Sequence, residues 1–125
     1  MKLFTVDEAN ALLPSVRKIL GKIQRSRKRL GAYRQEAKLA AEGAEQGGGG
    51  MGGGVLYANL LTNFTAEMVE LEGLGVQLKD FERGLVDFPS LREGRVVLLC
   101  WQLGEGDKLE WWHDMEAGFS GRTPL

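Results

Sequence analysis

The stretch RVVLLCWQL, residues 95–103, decides how this chain is read. From Val96 to Trp101 it is apolar without interruption. Successive side chains of a strand point to opposite faces, so a half-exposed strand alternates in polarity. This one does not, which predicts a central strand covered on both sides. As a helix, the run is far too short to span a bilayer.

Working outward, GEGD at 104–107 reads as a turn, and LEWWH at 109–113 as the returning, aromatic-rich strand of a hairpin. Pairing Leu103 with Lys108 puts Cys100 opposite Trp111, both on the His113 side. Pairing Leu103 with Leu109 puts Trp101 opposite Trp111 and sends Cys100 to the other face. A slip of one residue separates the two, and both stay open. On the N-terminal side, GLVDF at 84–88 reads as a short strand stopped by Pro89, and VQLKD at 76–80 as an alternating one. Strands are thus expected within 76–113. The tail, 114–125, is punctuated by glycine and proline and reads as a surface segment anchored by Phe119.

Before residue 76 the period is helical. Thr5 and Glu8 form a capping box, and Phe4 packs onto the first turn. Apolar residues then recur at three-four spacing over 5–42, with a polar gap at Ser26. Pro14 cannot donate to the carbonyl of Asn10 and crowds it, so a kink or break is expected near 10–14. From Pro14 to Glu42 this helix would run about 43 Å at 1.5 Å per residue, long for so small a chain. Residues 43–54 read GAEQGGGGMGGG, a flexible loop without the Gly-Lys-Ser/Thr ending of a phosphate loop. A second helix, 55–73, carries Leu60, Phe64, Met68 and Leu71 on one stripe and stops at Gly73 and Gly75. The fold class is therefore α+β: a long antiparallel helical hairpin followed by a small antiparallel sheet, in a single domain over 1–125.

Bulk properties exclude several classes. The 125 residues carry a net charge of −1, so the molecule as a whole has no pull on nucleic acid or acidic membranes. Residues 1–46 hold ten Lys/Arg against five Asp/Glu, and residues 55–125 six against twelve, so the two halves can neutralise each other. One cysteine, Cys100, forms no internal disulfide and suits a reducing compartment. The N-terminus has no apolar signal region. A cytoplasmic location and no membrane are expected.

The motifs RGLVDFP (83–89), LCWQLGE (99–105) and WH followed by GFSGR (112–113, 118–122), with FTVDEANALLP (4–14), resemble an uncharacterised bacterial family, the domain of unknown function numbered 2203. The resemblance runs over essentially the whole chain, with the glycine loop as a local insertion. It implies a bacterial, cytoplasmic protein, and it carries over no activity and no catalytic role.

The candidate chemistry is sparse. His113 is the only histidine, and imidazole is the usual acid-base group and metal ligand near neutral pH. It reads either as a base or ligand in an aromatic pocket or as a strand-end residue bonded to the sheet. Asp87 sits between Val86 and Phe88, and a buried carboxylate is costly unless paired. Its candidate partners are Arg83, Arg95 and Arg122, as a structural clamp or as an anion site. A closed zinc site wants four Cys/His ligands, and one Cys and one His are present, so His113 is only a weak metal candidate. Cys100 in an apolar strand reads as a small hydrophobe whose thiol pKa is raised. There is no nucleophile elbow and no HExxH or EF-hand pattern. Lys18, Lys22, Arg25 and Arg29 form one cationic stripe. Such neighbours destabilise an isolated helix by a few tenths of a kcal/mol per pair, so an acidic partner is expected.

Two readings follow. The first is a non-enzymatic interaction protein that self-associates, as a dimer for preference, or binds a helical partner through its hairpin. The second is a module binding a small ligand, an anion or a metal, centred on Asp87, Arg95, Trp101, Trp112, His113 and Arg122. Nucleic-acid association through the basic stripe ranks third and is disfavoured. No catalytic residue is assigned and no cofactor is predicted.

Overall fold

The computed structural model describes residues 1–44 and 54–125. The capping box opens the first helix. The Thr5 N–H donates to Glu8 Oε1 at 3.0 Å, and the Glu8 N–H donates to Thr5 Oγ1 at 3.1 Å. Helix α1 then spans Val6–Ala44. Its stripe of Ala9, Leu13, Val16, Leu20 and Ile23 is fully buried. The helix passes through Pro14 without the expected break. Pro14 is exposed, so water can satisfy the carbonyl it leaves unpaired. Ser26, the polar gap in the stripe, is buried and donates to Glu67 at 2.8 Å.

Glu67 belongs to α2, Gly54–Gly73, the second arm of the hairpin. Gly43 and Ala44 lie in α1 and Gly54 in α2, while the rest of the expected glycine loop lies outside the described residues. The helix stop is built at Gly75. Its N–H donates to the Glu72 carbonyl at 2.9 Å, and its φ of +88° is one that glycine adopts freely.

The sheet is an antiparallel meander of five strands in chain order. They are β1 (Gln77–Asp80), β2 (Leu85–Arg92), β3 (Arg95–Gln102), β4 (Trp111–Asp114) and β5 (Thr123–Pro124). Strand β3 is central and mostly buried, as its apolar run predicts. Strand β2 does not stop at Pro89; it continues to Arg92. Strand β1 reaches only as far as Asp87. Beyond it, the Pro89 carbonyl accepts the Phe4 N–H at 2.7 Å, and Ser90 Oγ donates to the Phe4 carbonyl at 2.6 Å. On that side β2 needs no donor from residue 89, so proline is tolerated.

The tail is more than a surface segment. Phe119–Gly121 form one turn of 3₁₀ helix, and Thr123–Pro124 pair with β4. One sheet face, with Val86, Phe88, Leu99 and Trp101, packs on the helices in the main core. The opposite face, with Leu85, Asp87, Leu98 and His113, meets Met115, Ala117 and Phe119 of the tail.

Candidate metal centre

The β3–β4 register pairs Cys100 with Trp111 and Leu98 with His113. Of the two registers open in the sequence, this is the one that sets Cys100 opposite Trp111, and it puts Cys100 on the His113 face. The β2–β3 register pairs Asp87 with Cys100. Asp87 on β2 and His113 on β4 therefore reach toward each other across β3, with Cys100 between them.

His113 Nε2 lies 3.0 Å from Asp87 Oδ1. One ligand atom from each of Asp87, Cys100 and His113 falls within 4.8 Å of the others. The three are 2 %, 1 % and 4 % exposed. The second ring nitrogen fixes the chemistry. His113 Nδ1 lies 2.8 Å from the Asp114 carbonyl oxygen, which can only accept. Nδ1 therefore carries a hydrogen, and a neutral ring presents a lone pair at Nε2. A carboxylate also only accepts. The contact between Nε2 and Asp87 thus needs one positive charge between them, either a shared proton or a cation.

Burial pushes the Cys100 thiol up to about 12; the Asp87 carboxylate adds to the rise and the Arg122 guanidinium opposes it. A thiol so placed is a poor free nucleophile. It becomes a thiolate when a metal displaces its proton. The donors are one sulfur, one nitrogen and one oxygen, a set that suits zinc and not calcium or magnesium. At bond lengths of about 2.0–2.3 Å, tetrahedral zinc holds its ligand atoms about 3.3–3.7 Å apart. The present spread, within 4.8 Å, needs to contract by at most about 1 Å. The Nδ1–H bond to a backbone carbonyl is the outer support that orients a metal-binding histidine. The residues fit the ion.

The other expected site residues are divided by the pleat. Trp101 and Trp112 point to the helix face, because neighbours in a strand cannot share a side. Trp101 Nε1 donates to the Gly106 carbonyl at 3.0 Å, and Trp112 lies under Arg92 and Arg95. Trp111 is the tryptophan of the His113 face. Arg122 lies over it at 4.8 Å and over Phe119 at 4.5 Å, and donates to Glu105 at 2.6 Å. Arg95 pairs with the exposed Asp114. Arg83 donates to Gln102 at 3.1 Å. None of the three arginines expected at Asp87 pairs with it, because His113 fills that place. Cys100 is the site residue that sequence reasoning set aside, and only the register could have recovered it.

Among the described residues, Lys18, Lys22, Arg25 and Arg29 form no ion pair with an acidic partner. It is Arg17 and Arg27 that reach the β module, at Asp107 and Glu82. A cavity of about 670 Å³ lies beside α1, at Arg27, Lys28, Phe64 and Phe81, and shares no lining residue with the Asp87–Cys100–His113 cluster. No described helix is long and apolar enough to cross a membrane.

No curated protein and no solved structure matches this chain. The sequence profile of one family, described as "Uncharacterized conserved protein (DUF2203)", matches residues 2–125, and the chain belongs to that family.

Proposed function

We propose that the protein binds one divalent transition-metal ion, zinc by its donor set, through Asp87, Cys100 and His113. The observation that carries this reading is the convergence of three buried ligand atoms of mixed type within 4.8 Å, in the only such cluster among the described residues. A bound cation would supply the positive charge that the Asp87–His113 contact needs, in place of a shared proton. Three protein ligands leave a fourth position for water or a small ligand, the arrangement of exchangeable zinc sites and not of closed structural ones. When bound, zinc supplies Lewis-acid polarisation of an oxygen at that position. The chain's own part is to orient the ring through Nδ1, to hold the carboxylate and sulfur, and to limit water.

Metal analysis of protein purified without chelator tests this. A single equivalent of zinc per chain is expected, reduced to background in Cys100→Ala and in His113→Ala. Folded wild-type protein that takes up no zinc or cobalt, with an unchanged melting temperature in excess metal, sinks the reading.

A second reading is self-association through α2, supported by its uncovered surface. Residues 54–66 carry no charge. Val55, Leu56, Leu61 and Val69 are 75, 53, 42 and 60 % exposed. The occupant proposed is a second copy, since an uncharged face meets itself across a two-fold axis without repulsion. Sedimentation at micromolar concentration should give a dimer, and Leu61→Lys with Val69→Lys a folded monomer. A monomeric wild type removes this reading.

A further inference from the structure

Asp87 and His113 form the floor of a cavity of about 280 Å³. This is just below the range of about 300–1,000 Å³ common for drug-sized ligands, so its occupant is a smaller molecule. Its walls are Leu85, Leu98, Met115, Ala117 and Phe119, none of which carries a hydrogen-bonding side chain. Lys79 and Gly118 complete the lining. Strand β1 places Gln77 opposite Asp87, and Lys79 follows two residues on, past an irregularity in the register. Lys79 is exposed, at the rim. Apart from Asp87 and His113 it is the one ionisable residue of the lining among the described residues.

Resting on the metal reading above, we propose that this cavity is the ligand pocket of the centre and takes a short-chain carboxylate. A polyol or amide entering it loses hydrogen bonds to water that the wall side chains of Leu85, Leu98, Met115, Ala117 and Phe119 do not replace. A carboxylate needs polar partners only at its head. A metal held by Asp87, Cys100 and His113 would supply one, taking a carboxylate oxygen, and the Lys79 ammonium favours negative charge and repels a cation. The aliphatic chain then lies against Leu98, Met115 and Phe119.

The test is a titration of cobalt-loaded full-length protein, followed in the visible spectrum. Acetate, propanoate and butanoate should each shift the cobalt bands saturably. Each added methylene should tighten binding about fourfold, the value of one buried CH₂. Butylammonium should leave the spectrum unchanged. Lys79→Glu, an exposed change, should weaken butanoate tenfold or more. Ala117→Leu, which fills the cavity, should abolish the dependence on chain length. Equal affinity for acetate and butanoate overturns the proposal, as do binding of butylammonium or an indifferent Lys79→Glu. If cobalt binds with a thiolate band but no carboxylate responds, this proposal fails and the metal reading stands. If no cobalt binds, both fail.

Discussion

At the scale of single residues, the contact between His113 and Asp87 separates stability from metal binding. With Nδ1–H held by the Asp114 carbonyl, Nε2 can accept a hydrogen bond. Asp87→Asn supplies an amide N–H to that lone pair, so the buried contact survives without any charge. With metal stripped from both proteins it should stay within about 1 kcal/mol of wild type in urea unfolding, and with zinc supplied it should bind none. Asp87→Ala leaves the imidazole without its buried partner and should cost about 3 kcal/mol or more. Glu8 offers a pH test. The Thr5 backbone N–H, then the Thr5 hydroxyl side, holds its carboxyl below the ordinary value of 4.5. A lowered folded value means stability present above 4.5 and lost as pH falls through the folded value. The stability difference between wild type and Glu8→Ala should therefore be full at neutral pH and shrink in acid, as measured by urea midpoints. Asp87 itself was legible as an anomaly from Val-Asp-Phe alone. Its partner was not, because cross-strand neighbours depend on pairing that no local pattern encodes.

At the scale of elements, turns and registers decide what each strand presents. Gly84 has φ +66°, and a Cβ there would lie 2.6 Å from Leu103 Cβ. Gly84→Ala should therefore destabilise by about 1–3 kcal/mol from backbone conformation alone, with further loss from the clash. Comparison of urea midpoints checks it. The helices were read well, because a capping box and a three-four stripe are local signals. The strand ends were read less well. Pro89 reads as a strand stop, but a proline whose nitrogen faces away from a neighbouring strand costs no ladder bond. The fifth strand was hidden behind the glycines and proline of the tail. Pairing Trp112 with His113 as site partners ignored the pleat. In LEWWH the residue beside His113 must face away, and Trp111 is the one that shares its side.

For the whole molecule, the opposite charges of the two halves are a weak link. Arg17–Asp107 and Arg27–Glu82 join α1 to the β module, but their side chains are 40 to 94 % exposed. Exposed pairs contribute about 0–1 kcal/mol each and are screened by salt. Unfolding free energy in 1 M sodium chloride should thus fall by no more than about 2 kcal/mol from the loss of both pairs. A larger loss would show that charge holds the halves together. The core of Leu13, Leu20, Phe88, Leu99 and Trp101 is the stronger link. Architecture was legible because burial leaves a periodic trace along the chain. The candidate centre was only half legible, since its three members come from three strands and owe their meeting to register.

Strand β3 carries Val97, Leu99 and Trp101 toward the helices and Leu98 and Cys100 toward the cavity side. The helix core and the cavity side are therefore written on codons of opposite parity. Substitutions at even positions of this strand can reshape the cavity side while selection holds the odd ones, so descendants can vary one face without renegotiating their core. Loss of one codon inside this strand has no such freedom. It exchanges the two sets, sending the thiol into the core and the tryptophan toward Asp87 and His113.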